Sequence, residues 1–296
     1  MIGFLSRLTF IVTFILIFAG GMVTSTDSGL AVPDWPLSFG TLFPRMVGGI
    51  FFEHSHRMIA GLVLILTVFL TVAIWRQAAS RVLKVLITLA MGLVLVQALL
   101  GGLTVLFLLP KPISMTHATM GQMFFTLMGV LVLLQSRLWK EKVPAVSSDA
   151  KALRGFALFL PISVFCQLLL GAYVRHSQGA GVWFHISGAG VVLVAGLLVT
   201  FFVCMHFLQV RTLFWTAMGI ISLITFQWAL GFITFWRTIS IALIVPTPLL
   251  DAIVVTLHQT VGATLLLSSV LFALLCYRLV TPPASSIHDP RLLRAH

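Results

Sequence analysis

The chain has 296 residues, of which 59% are hydrophobic and only 8% charged, and its mean hydropathy is +1.12. A soluble domain carries roughly 25% charged residues, so a water-soluble globular fold is excluded. The net charge of +11 suggests a nucleic-acid binder at first sight, but the basic residues sit in short segments between apolar runs, a pattern that follows membrane topology.

Apolar runs long enough to cross a bilayer core fall near residues 4–23, 56–75, 82–108, 114–136, 155–174, 183–207, 212–236 and 251–277. The first has only Arg7 ahead of most of its length and no A-x-A cleavage signal after it, so it is expected to be a retained helix and not a signal peptide. The fold class expected is therefore an all-α integral membrane protein. Its eight transmembrane helices form two repeated four-helix bundles, over 1–140 and 155–280, joined by a charged linker at 141–154 and followed by a polar tail at 281–296. Cys166, Cys204 and Cys276 all lie inside apolar runs, which rules out a loop disulfide or a CxxC metal site.

Orientation follows from charge. With the N-terminus inside, only Arg45, Arg57, Lys111, Arg175 and Arg237 fall outside, and the other 13 of the 18 Lys+Arg are cytoplasmic. Both termini are thus expected in the cytoplasm.

The halves repeat in sequence. Span three carries Gln97-Ala-Leu-Leu-Gly101-Gly-Leu-Thr104, and span seven carries Gln227-Trp-Ala-Leu-Gly231-Phe-Ile-Thr234. Span one ends Gly20-Gly-Met-Val23, and span five ends Gly171-Ala-Tyr-Val174. An even number of spans per half makes this a parallel repeat about an axis normal to the membrane. The loops differ: the first half has an extra loop between its spans one and two that contains Pro33-Asp34-Trp35-Pro36, and the second has a longer connection between its spans three and four.

Four histidines occupy repeat-related places. His56 begins His-Arg-Met-Ile-Ala-Gly and His185 begins His-Ile-Ser-Gly-Ala-Gly; Thr-His117-Ala-Thr-Met-Gly matches Leu-His258-Gln-Thr-Val-Gly. An imidazole within a membrane span is costly unless something uses it. Placed on the even-numbered spans, all four fall in the extracytoplasmic half of the bilayer, with small residues following each. Two facing helices with one histidine each are a standard way to hold a haem with both axial positions filled. Zinc is disfavoured, because each half lacks further Cys or His ligands at suitable spacing.

One half differs from the other. Glu53-His54-Ser55-His56-Arg57 puts an acid three residues before a ligand, on the same helix face, and the second half has no carboxylate in register with His185. A reactive site in the first half and an electron-transfer site in the second would account for that. Glu53 and Arg57 are also spaced for an ordinary interfacial ion pair, and Arg57 is equally suited to a haem propionate. His54 reads as accessory, His176 beside Arg175 as a surface or propionate contact, His206 as structural, and His288 and His296 as tail residues.

Gly21-Met-Val-Thr-Ser-Thr-Asp-Ser-Gly-Leu-Ala-Val-Pro-Asp-Trp-Pro36 and Glu53-x-x-His56-Arg57, together with His117, His185 and His258 in a chain of two four-helix units, resemble the bacterial haem A synthases. The resemblance covers nearly all of residues 1–280. It implies oxidation of the C8 methyl group of haem O to a formyl group, giving haem A for cytochrome oxidase. It further implies a substrate haem between His56 and His117 in a catalytic N-terminal half, and a haem b held by His185 and His258. Glu53 matches an acid important in the family, and Arg57 and Arg175 are candidate propionate contacts. Partners so implied are haem O, haem O synthase, the cytochrome oxidase assembly process and membrane lipid, with no nucleic acid; the electron donor is not indicated. Some members carry a cysteine pair in an extracytoplasmic loop. This chain has none there, and it has Asp27 where a small residue is common.

Two other classes compete on the residues alone. A di-haem b-type carrier or quinol oxidoreductase would need the same four histidines but not Glu53. A transporter would suit the duplicated bundle, yet such proteins favour broken helices and polar residues at the midplane.

Overall fold

The computed structural model describes residues 1–141, 143–237 and 248–283. Eight long helices dominate: α1 (Ile2–Ser25), α2 (Gly49–Arg76), α3 (Arg81–Leu106) and α4 (Lys111–Gln135) in one half, then α6 (Ala150–His176), α7 (Val182–His206), α8 (Arg211–Trp236) and α9 (Pro248–Leu279) in the other. All eight are long and apolar enough to span a membrane, and the chain is a multi-pass membrane protein. Several hydroxyl groups within the spans are satisfied on their own helix: Thr9 donates to the Leu5 carbonyl, Thr13 to Thr9 and Thr67 to Val63.

Helices pair with their chain neighbours, α1 on α2, α3 on α4, α6 on α7 and α8 on α9. The halves meet through α4 and α9, with α1 against α9 and α6 against α4 as equivalent contacts of the repeat. Accordingly α4 and α9 are the enclosed helices, 56% and 61% buried over their most apolar stretch against 17% for α1, α3, α6 and α8. Phe125, Ala263 and Leu267 fill the seam, with Phe10 stacked on Phe125 at 5.0 Å. Gly129 faces Leu267 there, and any Cβ at this position falls well inside contact distance of the leucine methyl. Gly129→Ala is expected to destabilise the protein by about 1–3 kcal/mol through overpacking, read as a lower melting temperature in detergent.

Two boundaries differ from the hydropathy reading. Helix α2 begins at Gly49, ahead of the expected 56, because Glu53, His54 and Arg57 lower the local hydropathy while finding polar partners in the preceding loop. Helix α6 begins at Ala150 within the segment read as linker, where Arg154 donates to the Tyr277 and Val280 carbonyls. That segment also contains the short helix α5 (Arg137–Glu141) and the strand β1 (Ala145–Val146), which pairs in parallel with β2 (Val280–Thr281). The start of the tail is thereby tied to the connection between the halves. Residues 284–296, with His288 and His296, and most of the longer connection between spans seven and eight lie outside the described residues.

The packed cores sit toward one end of the bundle. In the first half the core runs through Val63, Leu70, Ile74, Ile87, Val94, Phe124 and Met128; in the second, through Leu160, Val164, Val192, Val199, Ile220, Ile224 and Leu265. On each histidine-bearing helix the half's core begins two turns beyond the histidine, at Val63, Phe124, Val192 and Leu265. The other end, called the upper end below, carries the four histidines and the loop 26–48.

Candidate haem sites

Each histidine ring is seated against a glycine of the preceding long helix. A Cβ at Gly20 of α1 would stand 3.0 Å from His56 Cε1, and one at Gly101 of α3 would stand 3.3 Å from His117 Cε1. In the second half, Gly171 of α6 meets His185 Cε1 at 3.0 Å and Gly231 of α8 meets His258 Cε1 at 3.1 Å on the same measure. Every one of these glycines lies five residues before the last residue of its helix. The missing side chain is what lets the imidazole lie against the neighbouring backbone.

Three of the four seats add a clamp one turn below the glycine. Gln97, Gln167 and Gln227 donate to the main-chain carbonyls of His117, His185 and His258 at 2.9, 2.8 and 2.9 Å. Room for the amide comes from small residues after the histidine: Gly121 faces Gln97, Gly188 faces Gln167 and Gly262 faces Gln227. The sequence repeats Gln-x-x-x-Gly at 97–101, 167–171 and 227–231, and that repetition was the available signal for the clamp; its role was missed because it needs the facing helix.

The rings pair across each half. His185 and His258 have centroids 6.2 Å apart and planes at 83°. Two imidazoles bonded to one metal at about 2 Å each place their ring centres roughly that far apart, so this pair fits a shared iron. His56 and His117 lie close enough to interact electrostatically. Nδ1 of His56, His117 and His258 is buried with no hydrogen-bond partner, an arrangement that calls for a ligand on the ring. Among the described residues no group of three or more His, Cys, Asp or Glu stands where a bare metal ion could be held. The donor set fits a haem with two axial imidazoles in each half.

Glu53 is 3% exposed and joins α2 to the loop 26–48. One carboxylate oxygen accepts the Val32 N–H at 2.8 Å and the other accepts from Arg57 at 2.5 Å. Arg57 also donates to the carbonyls of Asp34 at 2.7 Å, Leu37 at 2.8 Å and Val32 at 3.2 Å. Four of its five N–H groups are therefore engaged, leaving Nε alone for a propionate. His54 is held by Ser38 Oγ at 2.8 Å. In the loop, Gly40 and Phe39 N–H groups donate to Asp34 and hold its carboxyl below the usual aspartate range. This support is present at neutral pH and is lost as the pH falls through that lowered value.

The same loop reaches α3. Trp35 lies on Gly102, where a Cβ would come within 2.7 Å of Trp35 Cδ2, directly beside the His117 seat. Gly102→Ala is expected to lift Trp35 off α3 and speed protease cleavage within 26–48, while the helices persist.

Arg175 lies in the last turn of α6, at the boundary of the halves. It donates to Ser25 Oγ of α1 at 2.6 Å, Ser25 in turn meets Thr256 Oγ1 of α9 at 2.9 Å, and Arg175 Nε is buried without a partner. His176 follows it, half-buried. His206 lies at the other end of the bundle, 3.1 Å from Asp149 and stacked on Phe202, as a structural residue.

The family described as cytochrome oxidase assembly protein matches residues 46–185, which include Glu53, His56, His117 and His185. Curated relatives match as well. The haem A synthase of Halalkalibacterium halodurans is 26% identical over 91% of this chain and 93% of its own length, and that of Lysinibacillus sphaericus is 28% identical over 93% of each. Along most of its length the chain is similar to the haem A synthases. Similarity is higher over a shorter stretch with the haem A synthase of Bacillus pumilus, 31% identical over 60% of this chain and 59% of that protein's length.

Proposed function

We propose that this chain is an oxidoreductase that converts haem O into haem A by oxidising the C8 methyl group to a formyl group, supplying cytochrome oxidase. The observation that carries the proposal is a repeated histidine seat that is alike in both halves, while Glu53 and its loop occur in one. Relatives named haem A synthase along the full length of the chain support it. His56 and His117 would hold the substrate haem, and His185 and His258 would hold a haem b, which would supply electron transfer.

When bound, the substrate haem supplies the iron and the methyl group that is oxidised. Two successive hydroxylations, each inserting one oxygen atom from an external oxidant such as dioxygen with the electrons it needs, would give a geminal diol whose loss of water leaves the aldehyde, a net four-electron oxidation of the methyl carbon. Glu53 keeps a buried carboxylate at the first turns of α2, where it stabilises positive charge or accepts a proton as the methyl carbon is oxidised. The loop 26–48, latched by Glu53 and Arg57 and resting on α3 through Trp35, closes the upper end of this half against water. Arg175 is the stronger propionate contact of the two arginines, because its Nε is buried and unpaired. The termini are cytoplasmic and the haem sites face the extracytoplasmic side, a reading that the charge distribution supports. Haem O synthase and the oxidase assembly process are the functional partners.

Haems extracted from the purified chain test this reading. Wild type is expected to yield haem b together with haem O or haem A, and His56→Ala/His117→Ala is expected to lose the latter and keep haem b. Haem b alone in both proteins would favour a di-haem electron carrier, which has no use for Glu53.

A further inference from the structure

We propose that His56 is the axial ligand built to let go of the iron, and that the loop 26–48, in place of a neighbouring helix, governs its release. This rests on the reading that a haem lies between His56 and His117.

The inference comes from one break in a fourfold pattern. All four rings have the glycine seat, but only His117, His185 and His258 have their main chain tied to the adjacent helix by a glutamine. The residue four before Gly20, where the glutamine falls in the other three, is Leu16. On the facing helix, His117 and His258 are followed four residues later by Gly121 and Gly262, and His185 three residues later by Gly188, whereas His56 has Ile59 and Ala60 in those places. Clamp and clearance are thus missing together: no side chain of α1 ties the His56 main chain, and the polar contact at ring depth is between the His56 ring and the Leu16 main-chain carbonyl. A buried amide-to-carbonyl bond resists axial sliding and rotation of one helix on another; methyl contact resists them weakly.

What holds α2 near His56 comes from above. Glu53, His54 and Arg57, all within one turn of it, bind Val32, Ser38, Asp34 and Leu37 of the loop. Any movement of the loop is transmitted to the His56 backbone, while His117 stays clamped by Gln97. An alternative rest for the ring is at hand, since it lies beside the Leu16 main-chain carbonyl. Glu53 thereby acquires a positioning role besides its charge, setting whether His56 is held on or off the iron.

Carbon monoxide binding to the dithionite-reduced, haem-loaded chain reads this directly, because the gas binds ferrous haem only where an axial position opens. Wild type is expected to bind it at one haem. Leu16→Gln/Ala60→Gly, which rebuilds the clamp, is expected to slow binding roughly three- to tenfold, the worth of one hydrogen bond. Gln227→Leu, which removes a clamp from the second half, is expected to create a second reactive haem with no change at the first. If the rebuilt clamp assembles poorly, Gly102→Ala gives the complementary reading, since loosening the loop is expected to raise the rate. Binding unchanged by the clamp and the loop variants, or two fully bound haems that never take up the gas, would overturn the proposal. A chain that carries no haem in its first half would overturn the underlying functional reading instead.

Discussion

Replacing His185 and His258 together with alanine is expected to remove one haem and leave the other in place, halving the haem-to-protein ratio. The two rings stand 6.2 Å apart in their own half, above a core that begins at Val192 and Leu265 and is separate from the core beneath His56 and His117. Loss of both imidazoles therefore leaves the core beneath the other site in place. His258→Ala alone leaves one axial ligand, and the retained haem should shift from low spin to high spin in its electron paramagnetic resonance spectrum. Loss of both haems together would show that the sites are not independent.

Glu53→Ala is expected to abolish haem A formation and to free the loop 26–48 as well. The change leaves the fully buried Val32 N–H without an acceptor and takes from Arg57 its one carboxylate partner. Breaking a buried pair by removing one member costs about 3–5 kcal/mol, so the loop should open to protease more readily than in wild type. Glu53→Gln separates the two roles of the acid. Its amide oxygen can still accept from Val32, so the loop should resist protease nearly as in wild type while the negative charge is gone. Product lost with the loop intact assigns the charge to the chemistry. Product retained in Glu53→Gln and lost in Glu53→Ala assigns the residue to the latch alone.

Much of this architecture can be read from the chain because lipid imposes a simple rule. A span must be a helix of about 20 apolar residues, and eight such runs stand out in the sequence. Histidine is rare enough in such runs that four at matching places mark the candidate sites directly. Hydropathy fails where polar residues enter a helix early, and so α2 was expected to start at 56 and not at Gly49. The partners of Glu53 and Arg57 were only half legible: their i, i+4 spacing predicts the ion pair, but not the carbonyls of Val32, Asp34 and Leu37 that complete it. Those contacts cross about 20 residues of loop with no periodicity. The glycine seats and glutamine clamps are written plainly as repeats, yet their meaning depends on which helix faces which, and no single span contains that. The absence of a clamp at Leu16 was hidden for the same reason, since a leucine in an apolar span attracts no notice.

The most direct measurement is reversed-phase chromatography of haems extracted from cells that make haem O, with and without this chain. Haem A is expected only when the chain is present, and it should vanish with His56→Ala/His117→Ala. Haem O left unchanged by a chain that nevertheless binds two b-type haems would contradict the assignment and place the protein among membrane electron carriers.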